Sequence, residues 1–431
     1  MCQYLPKGDF KWSTNEKFLI NKNIEFKDHE NLKSYILNIE DNANIGYTFD
    51  INLTYNQVDK YGNYSKQLTE QIHDLHNNYA LACENKSIKK EMLNEWQQED
   101  YKESNISKLI TNFNDKINYV VNYRILKLFL ELGLRITKVN RVLQYEQQDY
   151  MKSYIMKNTN ERIKSKNDFE KDFYKLMNNS VYGKTMENIR HRINFKLVNS
   201  EKKAIAMKND YKKFTVFSSN LIGVHLCKRE VTLNKPIFIG QTVLDDSKFL
   251  MVDFHYNFML KKIKRENIDL LFTDTDSLCY HIKKENPYEI IKDNKSYFDL
   301  SDYPENHELY DSTNKKVIGK FKNESIKQIS EFVALRSKLY CYTTDDEHEH
   351  KRCKGIKKSV CDMKLNLNLY KDILFNRSTY NTSQNVIISD DHNIYSQTIN
   401  KIALSARGDK IFIKNNNIDT YCIGHYKTLK K

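Results

Sequence analysis

The spacing of apolar residues in the first third of the chain predicts a helix followed by a strand. Residues 116–132 carry apolar side chains near helical spacing, and Gly133 follows as a typical residue to end a helix. Residues 134–146 then alternate between apolar and polar positions, which is typical of a strand with one buried face.

A pair of polar helices is predicted next. Residues 148–166 form the first, and Asn167 or Asp168 can cap a second that runs on through Lys175. Basic residues spaced four apart share a helix face, and the two helices carry two such pairs: Arg162 with Lys166, and Lys171 with Lys175.

Runs of apolar residues predict the main elements of the second half of the chain. Residues 236–240 predict a short strand, residues 241–262 a buried helix and residues 317–322 a further strand. Residues 331–342 have a mixed pattern. The remainder of the chain forms a smaller unit interrupted by polar loops.

Two carboxylates stand out between these runs. Asp274 and Asp276 flank Thr275, with apolar residues on both sides, which predicts a β-hairpin with acids at its tip. Strand alternation points both acids to the same side. Mg²⁺ prefers hard oxygen ligands, and two ions about 3.5–4 Å apart can activate an attacking hydroxyl and stabilise a leaving group. An Asp-x-Asp string alone also occurs in glycosyltransferases, phosphatases and surface turns.

The second predicted helix carries an independent motif, Lys-x-x-x-Asn-Ser-x-Tyr-Gly. Lys175 and Asn179 lie one turn apart, and Tyr182 follows three residues later. A cation, an amide and a ring on one stripe can hold a phosphate and stack against a base pair. A solvated amphipathic helix is the plainer interpretation, but it does not explain this spacing.

A third feature mixes basic and aromatic residues. The run from Arg336 to Tyr340 is followed by Lys351-Arg352-Cys353-Lys354-Gly355. Such interleaving suits a nucleic-acid backbone. An exposed basic strand would look the same.

Composition narrows the class of protein. Among 431 residues, 69 are basic and 56 acidic, for a net charge of +13. That excess suits a polyanion such as nucleic acid, although an A+T-rich coding sequence would also supply lysines. The eight cysteines lack a Cys-x-x-Cys pair, which predicts reduced thiols. No apolar run approaches the ~20 residues of a membrane span. We therefore expect a soluble, intracellular protein with no membrane partner.

Histidines offer no metal site by their spacing. His73 and His76, and likewise His348 and His350, lack a second ligand pair at the usual zinc spacing. They are predicted to be loop or helix-surface residues.

Taken in order, these motifs resemble family B DNA polymerases. Lys175 to Gly183 and Asp274 to Ser277 look like motifs B and C, and Lys338-Leu339-Tyr340 resembles the Lys-x-Tyr motif of the protein-primed branch. Further strings, such as Gly46-Tyr47, are similar to polymerases of mobile or virus-derived elements. The resemblance spans nearly the whole chain.

The resemblance implies a function and a set of partners. The reaction would be template-directed DNA synthesis, a nucleotidyl transfer in DNA replication with Mg²⁺ as cofactor, two ions in an intact enzyme. The partners would be template-primer DNA, deoxynucleoside triphosphates and a terminal protein as primer.

It also implies residue roles. Asp276 and Asp274 would be the catalytic metal ligands. The incoming triphosphate would be held by Lys171 and Lys175, with Arg162 or Lys166. Asn179 and Tyr182 would line the nascent base pair. Contacts to DNA would come from Thr275, Ser277, Lys338, Tyr340, Lys354 and Gly355.

The implied fold is α+β, a right hand with an antiparallel palm sheet, helical fingers and a small thumb. Residues 1–24 would be a palm remnant, and residues 25–146 an inserted subdomain. Residues 147–190 would form the fingers, residues 191–345 the palm with its metal-binding hairpin, and residues 346–431 the thumb-like unit.

One family motif is missing. Motif A, Asp-x-x-x-Leu-Tyr, supplies another metal-bridging aspartate, and in relatives it directly precedes a segment like residues 1–12. The chain is therefore expected to be N-terminally truncated, without motif A or the exonuclease domain. Asp50 and Tyr55 mimic the motif A spacing, but relatives place a structural strand there. Without one bridging carboxylate, we expect this chain alone to be inactive or nearly so.

Two other hypotheses for the function of this chain stay open. One is a non-catalytic, DNA-binding polymerase relic that keeps the basic cleft without turnover. The other is an Asp-x-Asp glycosyltransferase, which would leave the motif from Lys175 to Gly183 unexplained.

Overall fold

The structure is a computed structural model that describes residues 1–22, 29–77, 79–99, 101–207, 210–390 and 392–429. Its α-helices are α1 (Asn15–Asn21), α2 (His29–Leu37), α3 (Lys66–His76), α4 (Glu95–Gln98), α5 (Tyr123–Glu131), α6 (Lys152–Lys164), α7 (Asp168–Thr185), α8 (Glu201–Ile205), α9 (Ile237–Asp253), α10 (Leu260–Lys262), α11 (Glu289–Asp293), α12 (Lys358–Lys364) and α13 (Leu367–Phe375). Its strands are β1 (Leu5–Thr14), β2 (Ile45–Thr54), β3 (Gln57–Val58), β4 (Tyr64–Ser65), β5 (Glu84–Lys86), β6 (Lys108–Ile110), β7 (Lys116–Asn122), β8 (Arg135–Gln148), β9 (Asn194–Val198), β10 (Tyr211–Ser218), β11 (Leu221–Leu226), β12 (Ile268–Asp274), β13 (Ser277–Ile282), β14 (Ile329–Arg336), β15 (Leu339–Thr344), β16 (Glu349–Cys353), β17 (Thr379–Asp390), β18 (Asn393–Ser405), β19 (Phe412–Ile413) and β20 (Thr420–Tyr421).

An antiparallel sheet in the order β1-β8-β2-β7 carries the largest core. Its strand β2 is buried along nearly its whole length, which fits a central strand covered on both faces. Leu126 and Phe129 of α5 belong to the same core. The N-terminal strand β1 therefore shares a sheet with strands from the segment predicted to be inserted.

Helix α9 is fixed to this sheet by buried polar contacts. The backbone N–H of Asn122 donates to the Asp245 carboxylate at 2.9 Å. The Arg124 guanidinium pairs with Asp246 at 3.0 Å and also donates to the carbonyl of Tyr4 at 2.7 Å. Because a buried polar group without a partner is costly, these contacts hold the middle of α9 in one place against the sheet.

The long helix that begins at α9 leads into the acidic hairpin. It continues through a π-helical stretch, Phe254–Met259, into α10, and β12 and β13 follow as an antiparallel pair. Phe254 and Phe258 pack with Ile268 and Phe298 in a second core. A further core unites the sheet β14-β15-β16 with α12, α13 and the β17–β18 hairpin.

The end of the chain returns to α3. The N–H of Cys422 donates to the carbonyl of Asn77 at 2.8 Å, and His425 Nε2 lies 3.0 Å from Asn77 Oδ1. The N–H of Tyr426 donates to His73 Nδ1 at 3.1 Å. The last residues of the chain therefore contact α3 and the residue that follows it.

Several predicted elements are confirmed. The strand over residues 134–146 is β8, and the two polar helices are α6 and α7, with the Asn167 side chain capping α7 by accepting from the N–H of Glu170 at 2.9 Å. The acidic hairpin forms as predicted, with Asp274 opposite Ser277.

Three predictions of local structure are wrong. The helix expected over residues 116–132 starts only at Tyr123, because β-branched residues before it form β7 and Asn122 caps the helix. Residues 237–240 open α9 instead of forming a strand, with Pro236 at the cap position. Residues 317–322 form turns, since Lys316 and Gly319 have φ of +55° and +86°.

The histidines of α3 also differ from the prediction. His73 and His76 are buried, with 7% and 1% of their surface exposed, not on the helix surface. His73 stacks on Phe113 at a ring-centroid distance of 4.0 Å. His348 and His350 are exposed, as predicted.

Candidate active site at two hairpin tips

Two hairpin tips, distant in sequence, meet beside the acids. The Lys338 ammonium, in the turn between β14 and β15, lies 2.7 Å from Asp274 Oδ1 at the end of β12. The Ser337 hydroxyl donates to the carbonyl of Thr273 at 3.0 Å. Behind the tips, the rings of Phe272 and Tyr340 stack at a centroid distance of 4.8 Å. The structure therefore brings Asp274, Lys338 and Tyr340 together.

Both tips depend on a residue in the left-handed backbone region. Thr275 has a φ of +59° and Lys338 a φ of +63°. A β-branched residue rarely adopts this conformation, which is strained by about 1–3 kcal/mol and is often found at functional sites. At Thr275 the turn is closed by the N–H of Asp276, which donates to the carbonyl of Asp274 at 2.7 Å.

The two carboxylates differ in their surroundings. Asp274 is partly buried and paired with Lys338, whereas Asp276 is exposed. Within the described residues, no hydrogen bond or ion pair engages the Asp276 carboxylate, and the Ser277 hydroxyl donates to the backbone carbonyl of Asp274 at 3.3 Å. Asp276 is thus the acid available to a cation from solution.

Asp274 and Asp276 are ligands of the kind that a hard divalent cation prefers. Two carboxylates at one tip fit Mg²⁺, which is often held by one or two carboxylates and completed by water and phosphate oxygens. Over the described ranges, no group of three or more His, Cys, Asp or Glu side chains is placed to hold an ion. The other aspartate considered in the sequence, Asp50, accepts from Arg141 Nε at 2.8 Å and Asn140 Nδ2 at 3.1 Å within the first sheet.

The predicted phosphate-binding residues lie on α6 and α7 and the turn between them. Arg162 is in the last turn of α6, and Lys166 is exposed in the turn. On α7, Lys171 pairs with Asp168 at 3.0 Å, and Lys175 is exposed one turn later. The helices are joined by Asn158 Nδ2, which donates to Asn178 Oδ1 at 2.9 Å.

The C-terminal half of α7 faces the helix that leads to the acids. A side chain at Gly240 of α9 would collide with Met186 and Thr185, so the two helices approach closely there. Tyr182 is partly buried, and this burial raises the pKa of its phenol, while the nearby Lys248 ammonium of α9 lowers it. Asn179 is exposed on the same helix.

Lys316, to which the sequence analysis gave no role, contacts the end of α6. Lys316 Nζ donates to the carbonyl of Arg162 at 3.3 Å. Burial lowers the pKa of Lys316, and the charges of Arg162, Lys171 and Lys315 lower it further. Three cations from separate segments therefore lie close together. The sequence shows the basic pair Lys315-Lys316, but it does not show which residues of other segments lie close to that pair in the fold.

Lys354 and Gly355 lie in the turn after β16. The N–H of Lys354 donates to the carbonyl of Lys338 at 3.1 Å, which links this turn to the tip that pairs with Asp274. Gly355 has a φ of +95°, and its carbonyl accepts from Lys401 Nζ of β18 at 3.0 Å. The turn therefore carries a basic residue and connects the β14-β15-β16 sheet to the β17–β18 hairpin.

No helix among the described residues has the length and apolar character to cross a membrane. No protein-family model matches the chain, and no curated protein matches it.

Solved structures with a similar course of the chain include phi29 DNA polymerase complexed with primer-template DNA and incoming nucleotide substrates. That similarity has 14% identity and a TM-score of 0.45, and covers 84% of this chain and 58% of that one. The post-translocation binary complex of the same polymerase with primer-template DNA has 13% identity and a TM-score of 0.43, over 90% of this chain and 66% of that one. This chain spans less than two thirds of the polymerase.

Proposed function

We propose that this chain performs template-directed DNA synthesis as a family B DNA polymerase of the protein-primed branch. The observation that carries the proposal is the meeting of the Asp-Thr-Asp-Ser and Lys-Leu-Tyr motifs at the two tips, with the Lys338 ammonium 2.7 Å from Asp274. Nucleotidyl transfer requires metal-bound phosphates and a primer end held side by side. A cation beside the acids can hold the primer phosphate at that place.

The proposed roles follow from position and chemistry. Asp276 and Asp274 hold Mg²⁺, which when bound neutralises the triphosphate and activates the primer hydroxyl. The triphosphate is held by Lys171 and Lys175 with Arg162 or Lys166, and Asn179 and Tyr182 line the nascent base pair. DNA is contacted by Thr275, Ser277, Lys338, Tyr340, Lys354 and Gly355.

The proposed right hand divides as the motifs suggest. The fingers are residues 147–190, the palm residues 191–345, and the thumb-like unit residues 346–431. Residues 1–24 extend the palm and residues 25–146 form the inserted subdomain. Support comes from the paired helices α6 and α7 and from the hairpin β12–β13.

Primer extension tests the proposal. The purified chain is given template-primer DNA, deoxynucleoside triphosphates and Mg²⁺ or Mn²⁺, and we expect weak extension that Asp276→Asn abolishes. Asp269→Asn, on β12 of the same hairpin but paired with Lys283 at 3.2 Å, serves as the matched control. Robust extension that Asp50→Asn abolishes would mean that Asp50 supplies the missing motif A carboxylate.

A second candidate is a DNA-binding relic without turnover. It is favoured by the absence of a three-acid group over the described ranges, since electrostatic stabilisation is usually the largest catalytic effect. Salt-sensitive DNA binding without any nucleotide incorporation in either metal would select this candidate over the polymerase.

A further inference from the structure

The face of the β14-β15-β16 sheet next to the acidic tip is lined with rings. Strand alternation separates two faces of this sheet. Val333, Leu335, Leu339 and Cys341 point into the core with Tyr370 of α13. The opposite face carries Phe332, Tyr340, Tyr342 and His350, all of which are partly or fully exposed.

Register places these rings in a continuous row. Phe332 pairs with Tyr342 across β14 and β15, and Tyr342 pairs with His350 across β15 and β16. Their ring centroids are 6.2 Å and 4.7 Å apart, and the ring planes are within 20° of parallel. We name Phe332, Tyr340, Tyr342 and His350 the aromatic row.

The aromatic row reaches the proposed active site. Phe272, on the strand that ends in Asp274, stacks on Tyr340 at 4.8 Å and lies 5.8 Å from Phe332. The row thus extends from the acidic tip across three strands. Because Phe272 belongs to the hairpin β12–β13, the rings continue beyond the β14-β15-β16 sheet to the acidic tip.

Charge around the row favours an anionic partner. Tyr340 lies opposite Arg352 in the register, and Arg336 and Lys338 stand at the near end of the same sheet. Burial raises the pKa of both Tyr340 and Tyr342, and the charge of Glu324 raises it further, so one carboxylate lies near the row as well. Burial and His348 lower the pKa of His350, so that its ring is uncharged at neutral pH.

We propose that the aromatic row is a binding surface for unpaired DNA bases that runs away from the acidic tip. Bases in a duplex are stacked on one another, whereas unpaired bases are free to stack on protein rings. The basic residues at the row would hold the sugar-phosphate backbone of the same strand. This inference deepens the proposed function, on which its biological meaning rests, but single-strand binding requires neither metal nor triphosphate.

Fluorescence anisotropy with a labelled oligothymidylate of about 12 nucleotides, the size one stacking domain covers, tests the row. Tyr342→Ala should weaken binding about tenfold, in the range of one lost base-stacking contact. Tyr342→Phe keeps the ring and should bind within about twofold of the parent. Tyr395→Ala, an exposed tyrosine of β18, is the matched control and should leave affinity unchanged.

An abasic strand of the same length keeps the phosphate charges but has no bases, so it separates the contribution of base stacking to affinity from that of charge. Affinity for it should be the same in the parent and in Tyr342→Ala. Equal losses on both strands, or no loss on oligothymidylate, would overturn the proposal. Melting curves check folding, and Tyr342→Leu, which keeps apolar bulk, replaces the alanine variant if that one fails to fold.

The polymerase proposal and the binding role of the aromatic row can be tested independently of each other. Asp276→Asn should bind oligothymidylate normally, because that carboxylate makes no part of the row. If the parent chain shows no primer extension but its binding of oligothymidylate depends on the Tyr342 ring, the row is supported and the polymerase proposal is rejected. If primer extension occurs but binding of oligothymidylate does not depend on the Tyr342 ring, the row is rejected and the polymerase proposal is supported.

Discussion

The Asp274–Lys338 pair shows how single residues define the site. Both side chains are partly exposed, at 25% and 45%, and ion pairs in such settings contribute roughly 0–1 kcal/mol to stability. The pair therefore contributes little to holding the two tips together, and the hydrogen bond from Ser337 to Thr273 also joins them. In the proposed function, Lys338 contacts a primer phosphate while Asp274 and Asp276 hold the metal ion.

Replacing Lys338 with alanine tests this explanation. We expect the affinity for template-primer DNA to fall and the slope of log affinity against log salt to drop by about one, since one phosphate contact is lost. The free energy of unfolding should change by less than about 1 kcal/mol. Lys202→Ala, on the exposed helix α8, is the control. An unchanged salt slope in Lys338→Ala would contradict the assignment.

Asp276 should be the stronger metal ligand of the two acids. In Asp276→Asn, Mn²⁺ binding followed by electron paramagnetic resonance should be lost, because the remaining carboxylate is already paired with Lys338. Asp269→Asn should bind Mn²⁺ as the parent does. Equal Mn²⁺ affinity in Asp276→Asn and the parent would place the metal elsewhere.

At the scale of elements, α9 joins the first sheet to the acidic hairpin, and its anchor is a buried ion pair. The side chains of Arg124 and Asp246 are 5% and 11% exposed. Arg124 also donates to the carbonyl of Asp41 at 3.0 Å, so one guanidinium connects several segments. The position of the hairpin therefore depends on residues far from it in sequence.

Removing one partner of that pair should be costly. Asp246→Ala leaves the buried Arg124 charge without its carboxylate, and we expect a loss of about 3–5 kcal/mol in the free energy of unfolding, measured with urea. Asp41→Ala breaks the more exposed pair with Lys127 and should cost under about 1 kcal/mol. Similar losses in both variants would contradict the role given to Arg124.

The same elements show what sequence can and cannot predict. The hairpin and the helices α6 and α7 were predictable, because their caps and alternation are local signals. The helix start near Tyr123 was misplaced, since Val120 and Val121 suit both spacings and only the sheet selects the strand. The contact between Asp274 and Lys338 and the position of Lys316 were beyond prediction, because both arise from long-range packing.

At the scale of the whole molecule, four buried histidines lie in the interior, and two of them join the end of the chain to α3. His73, His76, His255 and His425 are each less than 9% exposed. Burial lowers their pKa values to about 4, 4, 3 and 4. They are therefore neutral in the folded protein at neutral pH.

This burial predicts a loss of stability in mild acid. Because the pKa of each histidine is lower in the folded state than the usual 6.5, the unfolded state binds more protons between about pH 6.5 and 4. Stability is full above that window and falls as the pH drops through it. The melting temperature should decrease from pH 7 to pH 5.

A variant isolates the histidine contribution. His255→Phe should reduce the pH dependence of the unfolding free energy by up to about 1.4 kcal/mol per pH unit, the value for one proton. Identical pH profiles for the parent and His255→Phe would show that the buried histidines are not the cause.

Calorimetric titration of a deoxynucleoside triphosphate, with Mg²⁺ and template-primer DNA present, tests most directly whether the acidic tip and α7 share one site. We expect Asp276→Asn and Lys175→Ala each to weaken triphosphate binding about tenfold or more, with Lys202→Ala unchanged, and the double variant to lose less than the two single losses added together. Triphosphate affinity that is indifferent to either residue, or losses that add fully, would contradict a shared site.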